Sequence, residues 1–265
     1  DGFLFRNGFS TVTVGWQWDI QPDAGFWLEA PVASNGERPV TGDVICQAQP
    51  GRSTHTLPIG VFGVATYPPL DLNEAGASLY WREHQNAPLQ LVPRQDWQFA
   101  RNEDGEVKAN PAYLYSSKGF QPGRQYLVVY RGYGPRIDGV GLLAVRDTAT
   151  AVKRGSLIEG EQYPVVIGYG ASQTGRFLRH LCHLGLNQGE DDQSAMDGML
   201  IHIAGSQRLD INQRFGQPNR LGTPGPNQLF PFSTVEQTDP VSGETDALTK
   251  ALHETGCTPK LMLTN

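Results

Sequence analysis

Ser172 lies within the stretch VVIGYGASQTGRFLRHL (165–181), with Gly168, Gly170 and Gly175 around it. An apolar run precedes the serine and an amphipathic segment follows, so a small polar residue falls at the turn between a strand and a helix. Two chemistries use that geometry. A nucleophile held on such a turn projects its hydroxyl above the sheet toward an ester or amide carbonyl, and small neighbours permit the close packing the turn demands. The helix N-terminus behind it adds unpaired N–H groups and a dipole that favours an oxyanion. The other chemistry lays a dinucleotide's pyrophosphate across the same helix end.

Spacing discriminates between them. In a G-x-S-x-G pattern glycine stands two residues either side of the serine. Here Gly170 does so, but Thr174 takes the other place and glycine comes at 175. In G-x-G-x-x-G, Gly168 and Gly170 match and the third position is Gln173. Glu190 falls about 20 residues on, where a ribose-binding acid belongs, yet it sits in the polar segment LNQGEDDQ (186–193) rather than at the end of an apolar strand. The nucleophile reading is preferred. A nucleotide-dependent oxidoreductase and a purely structural turn are its alternatives.

The elements that must position this turn follow from periodicity. After residue 123 strands alternate with helices: a strand at 125–130, a helix at 139–154 with apolar residues at 142, 145, 149 and 152, a strand at 163–168, and the helix that follows Ser172 to about 183. A strand at 199–204, a helix at 245–254 stopped by Gly256, and a strand at 260–263 complete the series. Such alternation predicts an α/β fold with a mostly parallel sheet covered on both faces. FSTVTVG (9–15) reads as a strand returning to that sheet. Between them, strands at 40–47, 57–66, 78–82 and 90–99, punctuated by prolines and by NEDG (102–105), read as an antiparallel block. The expected division is a core of 1–25 and 125–265 interrupted by a β-rich insertion at 26–124.

Trp16 and Gln17, in the WQWD that follows the first of these strands, fall at the sheet's C-terminal edge, where α/β sites open. They read as a pocket wall or, in the plainer alternative, as core packing. A formal charge of −6 over 265 residues argues against a nucleic-acid backbone as partner. No apolar run reaches the roughly 20 residues needed to span a bilayer. Cys46, Cys182 and Cys257 are too few and too widely spaced for a disulfide framework or a zinc site, and read as buried free thiols. His180 and His183 have i, i+3 ligand spacing but no third ligand, so no metal is expected.

YGASQTGRFLRHLCHLGLN, followed by MDGMLIHIAGSQR, resembles the bacterial "alpha/beta hydrolase domain" proteins of the α/β-hydrolase superfamily, whose elbow has a similar Ser-Gln-Ser/Thr-Gly-Arg core. GVGLLAVRD before it, FGQPNR (215–220) and LFPF (229–232) after it, and NGFSTVTVGWQWD near the start are similar to that family too. Glucuronoyl esterases, with a comparable serine, polar residue, x and Gly, are a more distant likeness. The resemblance implies a serine hydrolase, with a small-molecule ester as substrate and no cofactor. It implies Ser172 as nucleophile and the backbone N–H of Gln173 as an oxyanion donor. Arg176, one turn on, either anchors the elbow, reaches an anionic substrate group, or is solvated or ion-paired. Thr174 is expected to lead into the helix rather than toward substrate.

A triad also needs a base and an acid, and in this superfamily the chain order is Ser, acid, His. The resemblance places the strand before the acid at PKLMLTN, so the acid and histidine are expected beyond Asn265 and the second oxyanion donor before Asp1. By this reading residues 1–265 hold a partial domain, catalytically incomplete on its own. Among the internal histidines, His180 and His183 lie two and three turns from Ser172, and His202 falls inside a strand as buried structure. A non-catalytic module that keeps the fold for binding is the further alternative.

Overall fold

The computed structural model describes residues 2–20, 25–60, 66–159, 161–206, 208–219 and 229–265. Seven strands of the first half are β1 (Thr41–Ala48), β2 (Thr54–Pro58), β3 (Ser78–Arg82), β4 (Gln90–Val92), β5 (Trp97–Glu103), β6 (Glu106–Phe120) and β7 (Gln125–Tyr133). They form two antiparallel sheets, in the orders β1-β7-β3-β4 and β2-β6-β5. Alternation builds the core between them: Tyr126, Val128 and Tyr130 of β7 point inward and join Val44, Leu79, Leu57, Phe99 and Leu114 in one buried cluster. Phe99 meets Tyr130 edge-on at 5.4 Å, so the two sheets share that core. The strands described between residues 40 and 124 pair antiparallel, as expected of them. The strand expected at 57–66 is replaced by β2, and its residues 61–65 lie outside the described residues.

Two differences inside the block have local causes. The strand expected at 90–99 is broken by a 3₁₀ turn at Arg94–Asp96 after Pro93, which cannot donate to a ladder. The longest strand, β6, is not visible in the sequence because Pro111 and Gly119 interrupt it and its first half is exposed. Its start is marked, though: Glu103 pairs with Glu106 across Asp104 and Gly105, whose φ values of 53° and 92° make the two-residue hairpin that "DG" favours.

The rest of the chain carries helix α1 (Val140–Arg154), strand β8 (Ile167–Ala171), helix α2 (Gln173–His183), strand β9 (Gly198–His202), helix α3 (Lys250–Thr255) and strand β10 (Lys260–Thr264). Strands β8, β9 and β10 form a parallel sheet in that order, with Gly170 opposite Ile201 and Ile201 opposite Leu263. Leu142 of α1, Phe177, Leu178 and Leu181 of α2, Met199 and Ile201 of β9 and Leu252 of α3 make the second core. Each such side chain, fully buried, stabilises the fold by roughly 1.5–3 kcal/mol. Helices α1 and α3 stop at Gly155 (φ 75°) and Gly256 (φ 71°), the left-handed caps that glycine permits.

The mostly parallel sheet expected for 125–265 is corrected. Only β8, β9 and β10 are parallel, and the other described sheets are antiparallel. β7 pairs with β1 and β3 instead, because its three inward aromatic and aliphatic residues complete the β-rich core. Residues 9–15 form no strand: Phe9 through Thr13 are exposed and find no ladder, and β-branched propensity without a partner does not make a sheet. The parallel sheet is covered by α2 on one side, while Ile167, Tyr169 and Met262 are exposed. The strand expected at 163–168 begins later, at Ile167, and runs directly into Ser172. The helix expected at 245–254 is shorter, because Thr245–Asp246 pairs with Gln237–Thr238. All three cysteines are buried thiols outside any disulfide, as read. No helix among the described residues is long and apolar enough to cross a membrane.

Candidate active site

Ser172 stands between the end of β8 and the start of α2, and its backbone is strained, at φ 52° and ψ −111°. Non-glycine residues seldom occupy such a conformation, and where they do the surroundings must over-determine it. Those surroundings are explicit. The Ser172 N–H donates to the carbonyl of His202 at the end of β9 (2.9 Å), and the Arg176 N–H donates to the Ser172 carbonyl (3.0 Å), the first turn of α2. A Cβ on Gly170 would lie 2.4 Å from the Thr174 carbonyl oxygen, and one on Gly175 would lie 2.9 Å from the Cβ of Ala204. Glycine at 175 thus gives the helix its close approach to the sheet, although it falls one residue later than the G-x-S-x-G spacing. A serine at a helix N-cap ordinarily accepts a hydrogen bond from the first turn. Ser172 caps nothing, which leaves its exposed hydroxyl available.

Thr174 does not lead its side chain onward into the helix. Its Oγ1 turns back, donating to the Ala171 carbonyl (2.9 Å) and accepting from the Ala171 N–H (2.8 Å). Both polar groups of the last strand residue are thereby satisfied across the turn. We expect Thr174→Ala to destabilise the protein by about 1–2 kcal/mol and Thr174→Ser to restore most of it. Urea melts of the three proteins decide this, and equal midpoints would remove Thr174 from the account of the turn.

Gln173 is the first residue of α2, so its backbone N–H has no acceptor within the helix and stands beside the Ser172 hydroxyl in sequence. Its side chain is tied elsewhere, Nε2 donating to the Pro218 carbonyl at 3.0 Å. Arg176 is buried, with 7% exposure, and its Nε lacks any hydrogen-bond partner among the described residues. Burial pushes its guanidinium below the usual arginine range. Trp16 is packed in the core, 4.5 Å from the ring of Phe177 on the nucleophile's helix. Gln17 is buried and donates through Nε2 to Asp19 Oδ1 at 2.6 Å.

Among the described residues no histidine hydrogen-bonds the Ser172 hydroxyl. His180 Nδ1 lies 2.8 Å from the Leu209 carbonyl, and His202 Nδ1 lies 2.8 Å from Thr264 Oγ1. His183 Nδ1 is 3.6 Å from Asp246 Oδ2. Burial pushes His180 and His183 down to about 4, so both are neutral at physiological pH. Asp246, which falls in the first turn of the helix expected at 245–254, instead stands in the short strand Thr245–Asp246 opposite His183. Glu190 is exposed in a turn, with no strand leading to it, which removes the acid that a dinucleotide site requires. No group of three or more His, Cys, Asp or Glu among the described residues is placed to hold a metal ion.

Sequence reasoning missed a cluster of buried carboxylates that is linked to this turn through Pro218 and Asn219. Asp19, Asp138 and Asp210 come from three distant segments and each accepts a backbone N–H of the segment 209–219. Burial, opposed in part by those hydrogen bonds, pushes Asp19 up to about 6 and Asp138 up to about 7. Asp138 Oδ2 has no hydrogen-bond partner among the described residues. No spacing marks such a cluster, since its members lie 72 or more residues apart along the chain.

The carboxyl at 138 binds its proton more tightly folded than unfolded, so the native state holds the extra proton between about pH 4 and pH 7. Stability from this group is therefore full at low pH and is lost as pH rises toward 7. Asp138→Asn keeps an acceptor for the Asn212 N–H and removes the charge. At pH 8 it should be more stable than the wild type by roughly 2–4 kcal/mol, and near pH 4 the difference should vanish. Thermal melts across that range test it, and a difference independent of pH would sink it.

The profile of one protein family, described as alpha/beta hydrolase domain, matches residues 92–252, a span that includes the turn at Ser172 and both of its flanking elements. No curated protein and no solved structure matches the chain.

Proposed function

Because the chain belongs to the alpha/beta hydrolase domain family, we propose that it is a serine hydrolase that cleaves carboxylic esters of small molecules through an acyl-enzyme on Ser172. The observation that carries this reading is the strained backbone at Ser172, φ 52° and ψ −111°, combined with a hydroxyl that caps no helix. A fold maintains such a conformation at a cost of about 1–3 kcal/mol, and that cost is explained when the residue does chemistry. In the proposed step the Ser172 Oγ attacks the ester carbonyl carbon while a general base takes its proton. The carbonyl π electrons move to oxygen, and the Gln173 N–H donates to the oxyanion. Collapse expels the alcohol with a proton, and water then hydrolyses the acyl-serine in the same way.

The second reading is a module that keeps the fold and binds without turnover. The absence of a histidine hydrogen bond to Ser172 among the described residues favours it. One experiment separates the two. A fluorophosphonate probe incubated with the purified full-length protein should modify Ser172, located by peptide mass spectrometry, and should block hydrolysis of a p-nitrophenyl ester. An unlabelled, well-folded protein would leave the binding reading in place.

A further inference from the structure

The segment 209–219 contains no helix or strand, yet its backbone is held by side chains at several points. Its Asn212 N–H donates to Asp138 Oδ1 (2.9 Å), Gln217 N–H to Asp210 Oδ2 (3.2 Å) and Asn219 N–H to Asp19 Oδ2 (3.0 Å). Leu209 and Ile211 belong to the core under α2, whereas Phe215 belongs to the β-rich core and meets Tyr67 edge-on at 5.0 Å. The Tyr67 hydroxyl donates to the Gly216 carbonyl at 2.8 Å. The segment therefore joins the two cores, and its end reaches the turn at Ser172 through the Pro218 carbonyl, which accepts Gln173 Nε2.

We infer that Asp19 is a positioning residue for the oxyanion donor at Gln173, acting through this segment. The inference rests on the reading of Ser172 as a nucleophile. Asp19 is 1% exposed and accepts on both oxygens, from the Gln17 amide and from the Asn219 N–H. Pro218 precedes Asn219, so fixing the Asn219 N–H fixes the carbonyl to which Gln173 is tied. The residues of a helix's first turn, Gln173 among them, have no intrahelical acceptor for their N–H groups and fray first. An oxyanion donor must nonetheless be held in place before the charge develops, because its worth depends on not having to reorganise. The tether from Gln173 to Pro218 supplies that constraint. Asp19 is the buried group that keeps the anchor still. Removing it takes one acceptor from the buried Gln17 amide and one from the half-buried Asn219 N–H, which loosens the hold on the segment.

The test is hydrogen exchange on the wild type, Asp19→Ala, Asp19→Asn and Gln173→Met, read peptide by peptide, alongside ester kinetics. Amide protection at 171–176 should fall by about tenfold in Asp19→Ala and in Gln173→Met, while α1 and β7 keep wild-type protection. Asp19→Asn, which keeps an acceptor for the Asn219 N–H, should retain most of the protection. Where the wild type hydrolyses ester, Asp19→Ala should lower kcat by about tenfold with KM within about twofold, the mark of an interaction realised in the transition state. Unchanged protection at 171–176 in Gln173→Met, or protection lost evenly over the whole chain in Asp19→Ala, overturns the inference. A wild type that the fluorophosphonate does not label would overturn the hydrolase reading instead, and the exchange pattern would still decide the tether.

Discussion

In the full-length protein, Ser172→Ala is expected to abolish fluorophosphonate labelling and to lower kcat for ester hydrolysis by about 10³-fold or more, with the fold intact. The hydroxyl is a poor nucleophile on its own, so its whole contribution is what the turn, the base and the oxyanion donor extract from it. Among the described residues nothing structural depends on the oxygen. It caps no helix, and the N–H and C=O of Ser172, which bond His202 and Arg176, belong to the backbone and survive the change. Stability should therefore move by less than about 0.5 kcal/mol. Ser172→Gly sharpens the case, because glycine occupies φ 52° without strain. That variant should be equally inactive yet more stable than the wild type by about 1 kcal/mol, a gain that shows the strain is maintained for function. Labelling, p-nitrophenyl ester turnover and thermal melts on the three proteins test this. A well-folded Ser172→Ala protein with wild-type turnover would end the serine-hydrolase reading.

Gly170→Ala is the second change with a large expected effect, and it acts on geometry rather than chemistry. The added methyl would sit 2.4 Å from the Thr174 carbonyl oxygen and 2.9 Å from the Gly175 nitrogen. Both are backbone atoms at the start of α2, so no side chain can swing away to relieve the clash. The helix must retreat from β8, taking with it the Gln173 N–H and the Arg176-to-Ser172 hydrogen bond. We expect a loss of about 3 kcal/mol in stability and of labelling by at least about 10²-fold. Gly51→Ala is the control, since a Cβ there meets nothing within 4 Å and no left-handed φ is required. Its stability should be within about 0.5 kcal/mol of the wild type. Gly170→Ala that melts and labels like the wild type would show that the turn tolerates a retreat of the helix.

What the sequence by itself determined about this protein is what short-range physics decides. The turn at Ser172 is legible because an apolar run, three glycines and an amphipathic helix lie within 17 consecutive residues, and each part constrains its neighbours. Helix α1 and the stop at Gly256 are legible for the same reason: periodicity and left-handed caps are local properties. Strand β3 matched residue for residue, since its partners only had to accept an alternating segment. The tertiary structure decided what depends on partners far away in the chain. β7 has the composition of a parallel strand but joins β1 and β3, and residues 9–15 have strand propensity but no edge to pair with. The carboxylates at 19, 138 and 210 are gathered by the segment that joins both cores, and the tether from Gln173 reaches 45 residues along the chain to Pro218. Such contacts follow from which buried surfaces fit together. A backbone N–H carries no residue identity, so a hydrogen bond that holds one leaves no mark on the residue type at the donor's position.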